Sequence, residues 1–265
     1  MTEWYTTQSL GAGLWLIDEH GHDNMYLIAG AERALLVDTG WGLGDLAGLV
    51  ASLTSLPVTV INTHGHPDHI LGNGQFREVH VSEDDLFLVN VFMRPEIRVR
   101  VLANIEPDTP PPTFDRERWA TVMPEAILPI REGHRFDLGG RTLETIAVPG
   151  HSPGSLCLLD RDARLLFSGD TLLAGTLWLH LRDSRPLHEF RENLMRLRGF
   201  AGDFDTLMPA HGKPRLPVTL LDDIIAGIAR ILAGEIVGKP THTHAGDGLR
   251  CDFGRCSILY RQDNL

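Results

Sequence analysis

The chain has 265 residues, of which 43% are hydrophobic, so it is long enough for one or two domains with a full core. Its formal net charge of -11 argues against a nucleic-acid-binding surface. It also lacks an apolar run of membrane-spanning length, a signal-peptide pattern and enough cysteines for a disulfide framework. We therefore expect a cytoplasmic protein that acts on a small molecule, without a nucleic-acid or membrane partner; a homodimer is left open.

Short apolar segments in the first third of the chain predict strands with one helix between them. The helix covers residues 43–53, and the strands lie at 14–17, 25–30, 34–40, 58–63 and 78–81. An irregular insertion follows at about 83–135. Its beginning is predicted to be helical over 82–97, whereas the prolines of residues 106–115 exclude a helix there.

The second half of the chain repeats this pattern of strands and adds two helices. Strands are predicted at 143–150, 155–160, 164–170 and 205–212. One helix is expected after Asp183 and Ser184, which are candidate caps, and the other near Pro217. His242 and His244 are assigned to a surface loop within a C-terminal helix and tail, residues 217–265. Because the polar motifs come from both halves, we predict one α/β domain over residues 1–265.

Seven side chains have the types and the placement of metal ligands. Four lie within six residues after a predicted strand, and three others each follow an apolar run beside a glycine: His64, His66, Asp68, His69, His151, Asp170 and His211. Imidazole and carboxylate groups are ligands that zinc prefers. Five histidines and two aspartates suffice for two metal ions if one carboxylate bridges them.

These motifs resemble those of the metallo-β-lactamase fold superfamily. The match includes the HxHxDH box at 64–69 and Asp38 of LLVDTG, and it extends over about residues 14–212. The resemblance implies a four-layer αββα sandwich. It also implies a ligand set: His64, His66 and His151 for one divalent metal, Asp68, His69 and His211 for a second, and Asp170 as the bridge. Asp38 would support the HxHxDH loop. Zinc is the favoured metal, with iron and manganese as alternatives.

The chemistry implied by such a centre is hydrolysis. A hydroxide bridging two metals would attack a thioester or related ester carbonyl, with Asp68 transferring the proton. True β-lactamases of this fold carry Cys or Ser where this chain has Asp170, so β-lactam hydrolysis is not expected. The segment from PGHSPGS to SGDTLLAGT resembles the glyoxalase II-like branch. His180 is a candidate hydrogen-bond donor to the reaction's oxyanion.

Two other activities of the same fold stay open. A persulfide dioxygenase would hold a single iron through His64, His151 and Asp170. A lactonase is less favoured, because the residues after Asp170 lack the tyrosine typical of those enzymes. The insertion is interpreted as a lid or pocket wall in which Phe87, Phe92 and Met93 line an apolar cleft.

Overall fold

A computed structural model describes residues 4–104 and 110–265. The chain divides into two compact units, the first ending at Thr142 and the second covering Leu143–Leu265. The division into units does not test the expectation of a single domain, which stays a prediction. Residues 105–109, which include part of the proline-rich stretch predicted to be non-helical, lie outside the described residues.

The first unit is built on a seven-stranded sheet with the strands in chain order. Strands β1 to β4 are antiparallel to their neighbours, and β4 to β7 are parallel. The strands are β1 (Tyr5–Gly11), β2 (Leu14–Glu19), β3 (Asp23–Ala29), β4 (Ala34–Val37), β5 (Val58–Ile61), β6 (Glu78–Ser82), β7 (Ala126–Ile130) and the short β8 (Arg135–Asp137). The helices are α1 (Leu46–Leu53), α2 (Pro67–Ile70), α3 (Leu86–Phe92), α4 (Pro95–Asn104) and α5 (Arg116–Thr121).

A single core joins the helices of this unit to its sheet. Most apolar residues of β3, β4 and β5 are buried, as is expected for strands covered by other elements. Helices contribute side chains to the same cluster, among them Leu46, Val50, Val89, Leu102 and Trp119. The first unit therefore consists of a sheet layer and a helical layer that share one apolar interior.

The buried carboxylate of Glu19 predicts a pH-dependent contribution to the stability of this unit. It accepts hydrogen bonds from Trp4 Nε1 at 2.9 Å, Trp41 N at 2.6 Å and Leu43 N at 3.2 Å. Burial nevertheless raises the pKa of Glu19 from 4.5 to about 7. Because the folded state holds this proton more tightly, the stabilisation is complete below pH 4.5 and is lost as the pH rises through about 7.

Glu19→Gln should remove this dependence, because a glutamine has no proton to lose. Chemical denaturation at several pH values measures the free energy of unfolding of both proteins. Relative to the wild type, the value for the variant should rise by roughly 3 kcal/mol between pH 4.5 and pH 8. Any loss from an altered hydrogen bond is the same at each pH and does not affect this difference. Parallel stability curves for the two proteins would contradict the prediction.

The second unit contains two sheets and two helices. Within it, one sheet has the order β14-β13-β11-β10-β9, and a four-stranded sheet has the order β12-β17-β16-β15. The strands are β9 (Thr142–Ala147), β10 (Leu156–Asp160), β11 (Leu165–Gly169), β12 (Thr176–Leu179), β13 (Thr206–Pro209), β14 (Leu216–Pro217), β15 (Lys239–Thr243), β16 (Gly246–Asp252) and β17 (Ser257–Tyr260). The helices are α6 (Leu187–Arg198) and α7 (Thr219–Leu232).

The core of this unit is formed by the apolar faces of both helices and by the strands. Phe190 and Leu194 of α6 and Ile224 and Ile228 of α7 are fully buried in it, at the helical spacing expected of a single apolar stripe. Cys157 also lies in this core. All three cysteines of the chain are buried free thiols.

Two sequence predictions in the second unit fail, one of them only in part. Asp183 and Ser184 do not cap α6, whose N-cap is Pro186. Of the two histidines assigned to a surface loop, His244 lies in the exposed turn between β15 and β16, whereas His242 lies inside strand β15. His242 is exposed, and its Nδ1 lies 2.6 Å from Asp247 Oδ1. Among the described residues, the helices are too short or too polar to cross a membrane.

Candidate metal centre

In the first unit, the predicted ligands follow strand β5. Strands β4 and β5 are parallel, so their carboxyl ends lie at one edge of the sheet. Asp38 directly follows β4, and His64 follows β5 by three residues. The edge of this sheet therefore carries both the HxHxDH box and the aspartate predicted to support it.

The HxHxDH box forms a tight turn into the short helix α2. His66 has extended backbone, as is favoured before a proline, and Pro67 is the first residue of the helix. The ring centroid of His64 lies 4.7 Å from that of His66 and 4.0 Å from that of His69. Asp68 Oδ1 lies 3.6 Å from His69 Nε2, and its side chain is partly exposed. The box thus gathers four candidate metal ligands in one place.

Asp38 organises this group through hydrogen bonds. Its Oδ1 accepts from Thr63 N at 2.7 Å, and its Oδ2 accepts from Thr63 Oγ1 at 2.8 Å. Oδ2 also lies 3.0 Å from His69 Nδ1. Asp38 itself has a positive φ of 64°, which few residues other than glycine adopt, so the strained backbone places its carboxylate among these donors.

The same hydrogen bonds determine which imidazole nitrogens can bind metal. Because a carboxylate only accepts, His69 Nδ1 carries the hydrogen and Nε2 carries the lone pair. Thr63 Oγ1 donates to Asp38, so it accepts from His64 Nδ1 at 3.1 Å. His64 therefore also presents Nε2 as its metal-ligating nitrogen. This pattern, in which the second ring nitrogen is bound to a carboxylate or hydroxyl, is typical of metal-binding histidines.

Gly65 allows the box to lie against the start of the insertion. A Cβ at this position would come within 2.8 Å of Leu88 Cβ and 3.2 Å of Asp85 O. Gly65 N donates to Asp85 Oδ2 at 2.8 Å, and Asp85 is fully buried. A larger residue would separate the two segments, so the glycine between His64 and His66 has a steric cause.

In the second unit, three strands point in the same direction and end at the same edge. Strand β13 is parallel to β11, and β9 and β11 are each antiparallel to β10. Asp170 follows β11, His211 follows β13 by two residues, and His151 follows β9 by four. Gly169 adopts a positive φ of 51°, which turns the chain immediately before Asp170.

The two carboxylate oxygens of Asp170 face different imidazoles. Oδ1 lies 3.1 Å from His211 Nε2, and Oδ2 lies 3.5 Å from His151 Nε2. His151 Nδ1 lies 2.8 Å from the Trp178 carbonyl oxygen, which only accepts, so Nε2 is again the nitrogen with the lone pair. The donor set of each unit thus has the chemistry of a site for divalent metal.

His180 lies in the same unit as Asp170 and is bound to the β15–β16 turn. Its Nε2 lies 3.0 Å from Thr243 Oγ1, which in turn donates to Gly246 O. His180 Nε2 is therefore a donor to Thr243, and Nδ1 is a buried acceptor without a hydrogen-bond partner among the described residues. Burial is the largest cause that lowers the pKa of His180, and the neighbouring Arg261 and His244 lower it further. Its predicted role as a donor to an oxyanion would require it to leave Thr243, and this role stays a prediction.

The insertion is only partly as the sequence suggests. Met93 does not line a cleft, because it is buried in the core of the first unit. Phe92 lies with its ring centroid 6.2 Å from that of His66, whereas Phe87 is 51% exposed. A cavity of about 330 Å³ elsewhere in this unit is lined by residues that include Arg98 and Trp119, and none of the seven predicted ligands borders it. The lid stays a prediction.

Known proteins resemble this chain in sequence and in fold. The family model of the metallo-beta-lactamase superfamily matches residues 20–190. The acyl-coenzyme A thioesterase MBLAC2 of Gallus gallus is 34% identical, over 79% of this chain and 81% of that protein. An atrochrysone carboxyl ACP thioesterase of Aspergillus fumigatus is 28% identical, over 71% of this chain and 50% of that protein. A metallo-beta-lactamase family protein from Thermus thermophilus superposes with a TM-score of 0.62 at 24% identity, covering 88% of this chain and 85% of that structure.

The chain belongs to the metallo-beta-lactamase superfamily. Both the predicted family and the predicted fold are confirmed. The protein is a hydrolase of this superfamily and not a true β-lactamase. Membership implies divalent metal ions, for which the His and Asp groups of the two units are the candidate ligands.

Several residues that support these groups were not predicted from the sequence. Thr63 and Asp85 act through hydrogen bonds to neighbours of the ligands, and Trp178 acts through its backbone carbonyl. Thr63 could have been suspected from its position next to His64. Every residue has a backbone carbonyl, so the amino-acid type at position 178 could not indicate this role.

Proposed function

We propose that this protein is an acyl thioesterase with a dinuclear metal centre. His64, His66 and His151 would hold one ion, Asp68, His69 and His211 the other, and Asp170 would bind both. Zinc is the metal that best suits this nitrogen and oxygen donor set. The observation that carries the proposal is the carboxylate of Asp170, whose two oxygens each face a different histidine.

The choice of a thioester rests on similarity. Two relatives with thioesterase names share this superfamily, and the chicken protein aligns over most of both chains. The resemblance also sets the chain apart from lactam-cleaving members of the fold, which carry Cys or Ser where this chain has Asp170. An acyl thioester, such as an acyl-coenzyme A, is therefore the substrate class that we propose.

Residues of the chain have separate tasks in this reaction. When bound, two divalent ions would supply Lewis acidity at the carbonyl and lower the pKa of a water molecule to about 7. Asp38 keeps His64 and His69 in the tautomer that presents Nε2. Asp68, whose side chain is partly exposed, would transfer a proton to the leaving thiolate.

A substrate panel tests this function. The protein loaded with zinc or manganese should hydrolyse acyl-coenzyme A thioesters with kcat/KM above about 10⁴ M⁻¹ s⁻¹, measured by release of free thiol. Acyl homoserine lactones, phosphodiesters and a β-lactam are the comparison substrates. Metal analysis of the same sample should give about two ions per chain.

Other outcomes would redirect the assignment. One iron per chain together with oxygen uptake on a glutathione persulfide would replace the thioesterase by a persulfide dioxygenase. Faster cleavage of lactones than of thioesters would make the protein a lactonase. Asp170→Ala protein serves as the control for hydrolysis that does not depend on the centre.

A further inference from the structure

His151 is held by residues 178–185, which comprise the end of strand β12 and the segment after it. Its ring is bound through Nδ1 to the Trp178 carbonyl at 2.8 Å. Its own carbonyl oxygen accepts from Ser184 Oγ at 3.0 Å, and the carbonyl of the preceding Gly150 accepts from Arg185 N at 2.8 Å. Both the side chain and the backbone of His151 therefore depend on the position of residues 178–185.

The same segment is held by the last residues of the chain. Asn264 is 7% exposed, and its Nδ2 lies 2.9 Å from Arg185 O, 3.2 Å from Ser184 O and 3.5 Å from Leu179 O. Arg261 Nη1 donates to the carbonyl between them, Leu181 O, at 3.0 Å. One buried amide group thus gathers the carbonyls of the segment that binds His151.

Asn264 is the buried residue of the short C-terminal turn Gln262–Asn264. Gln262 and Asp263 in this turn are exposed. An amide NH₂ carries two hydrogens, so it satisfies the two nearer carbonyls and the third contact is weak. An aspartate at this position would have the same shape, but its carboxylate oxygen would face carbonyl oxygens that also only accept. The buried groups would then lose their hydrogen bonds, which destabilises this arrangement.

We propose that Asn264 is a positioning residue for His151 and thereby tightens the binding of metal at that histidine. The effect passes from the Asn264 amide to the carbonyls of Ser184 and Arg185, and from those two residues to the backbone of Gly150 and His151. This inference rests on the proposed role of His151 as a metal ligand. It assigns a function to the C-terminal turn.

The test measures metal affinity rather than activity. Zinc should bind Asn264→Asp about 10-fold to 100-fold more weakly than wild type in competition with a chromogenic chelator, as is typical when a support of a ligand is lost. The matched control is Gln262→Ala, an exposed change in the same turn, which should leave the affinity unchanged. The visible spectrum of the cobalt-substituted protein should change in Asn264→Asp and not in the control.

A second variant and thermal unfolding distinguish an effect on metal binding from a general loss of stability. Ser184→Ala removes only the hydroxyl that donates to His151 O, and it should weaken zinc binding with a small change in the melting temperature of the metal-free protein. Wild-type zinc affinity in Asn264→Asp would overturn the proposal, even if Ser184→Ala bound zinc more weakly. Tight zinc binding by a wild type that hydrolyses no thioester would overturn the proposed function alone.

Discussion

Asp170→Ala is expected to lower kcat/KM for thioester hydrolysis by more than about 100-fold and to reduce the metal content of the purified protein. Supports of metal ligands contribute about 10-fold to 100-fold, and a carboxylate whose two oxygens each face a different histidine should contribute more. The measurements are steady-state kinetics and metal analysis on the same preparation. The loss should persist when metal is added in excess, because the variant lacks the carboxylate that is proposed to bridge the metals.

His180→Ala is the control for this experiment. His180 lies in the same unit and is buried, but its contact is with Thr243 and not with a predicted ligand. It should therefore retain close to the wild-type metal content and lose less activity than Asp170→Ala. Equal losses of metal in the two variants would refute the bridging role.

Asp38→Asn should weaken metal binding by about 10-fold to 100-fold without a large change in side-chain volume. The amide NH₂ of the asparagine would lie where Asp38 Oδ2 now accepts from His69 Nδ1 and Thr63 Oγ1. Because an NH₂ group only donates, both hydrogen bonds would be lost. His69 would relieve this by moving its hydrogen to Nε2, the nitrogen that has to bind metal. Chelator competition measures the affinity directly.

Asp45→Asn provides the matched control. Asp45 is an exposed carboxylate in the same unit, where it accepts from Gly48 N at the start of α1. Its replacement should leave metal affinity unchanged, with at most a small loss of stability. If Asp38→Asn bound metal as tightly as Asp45→Asn, the tautomer argument would be wrong.

The ligand-bearing strands were predictable because two simple signals coincide in them. The runs before Asp38, His64 and Asp170 are short and apolar, and a strand of the structure ends one to three residues before each of these side chains, although the predicted strands 34–40, 58–63 and 164–170 extend slightly too far. The HxHxDH box was equally clear, since its side chains are too closely spaced to be explained by a buried core. The assignment of individual ligands to individual metals stays a prediction.

The sequence predictions that were wrong concern segments whose structure depends on residues far away in the chain. Strands β15 and β16 contain exposed Lys, His, Arg and Asp side chains because they lie at the outer part of a small sheet, so their pattern resembles a loop. Ser184 has the residue type of a helix cap, but its hydroxyl binds His151 O, 33 residues earlier in the chain. Asn264 could not be recognised either, since its partners are backbone carbonyls about 80 residues away.

The hydrogen bond between Asp85 and Gly65 limits how the insertion can move. Asp85 is fully buried at the beginning of the segment, and Leu88, one turn later, packs against the glycine. A hinge for any opening motion must therefore lie after Leu88, since a hinge before it would pull on the loop that carries His64 and His66. The first turn of α3 is therefore tied to the loop that carries His64 and His66, and it would move only together with that loop.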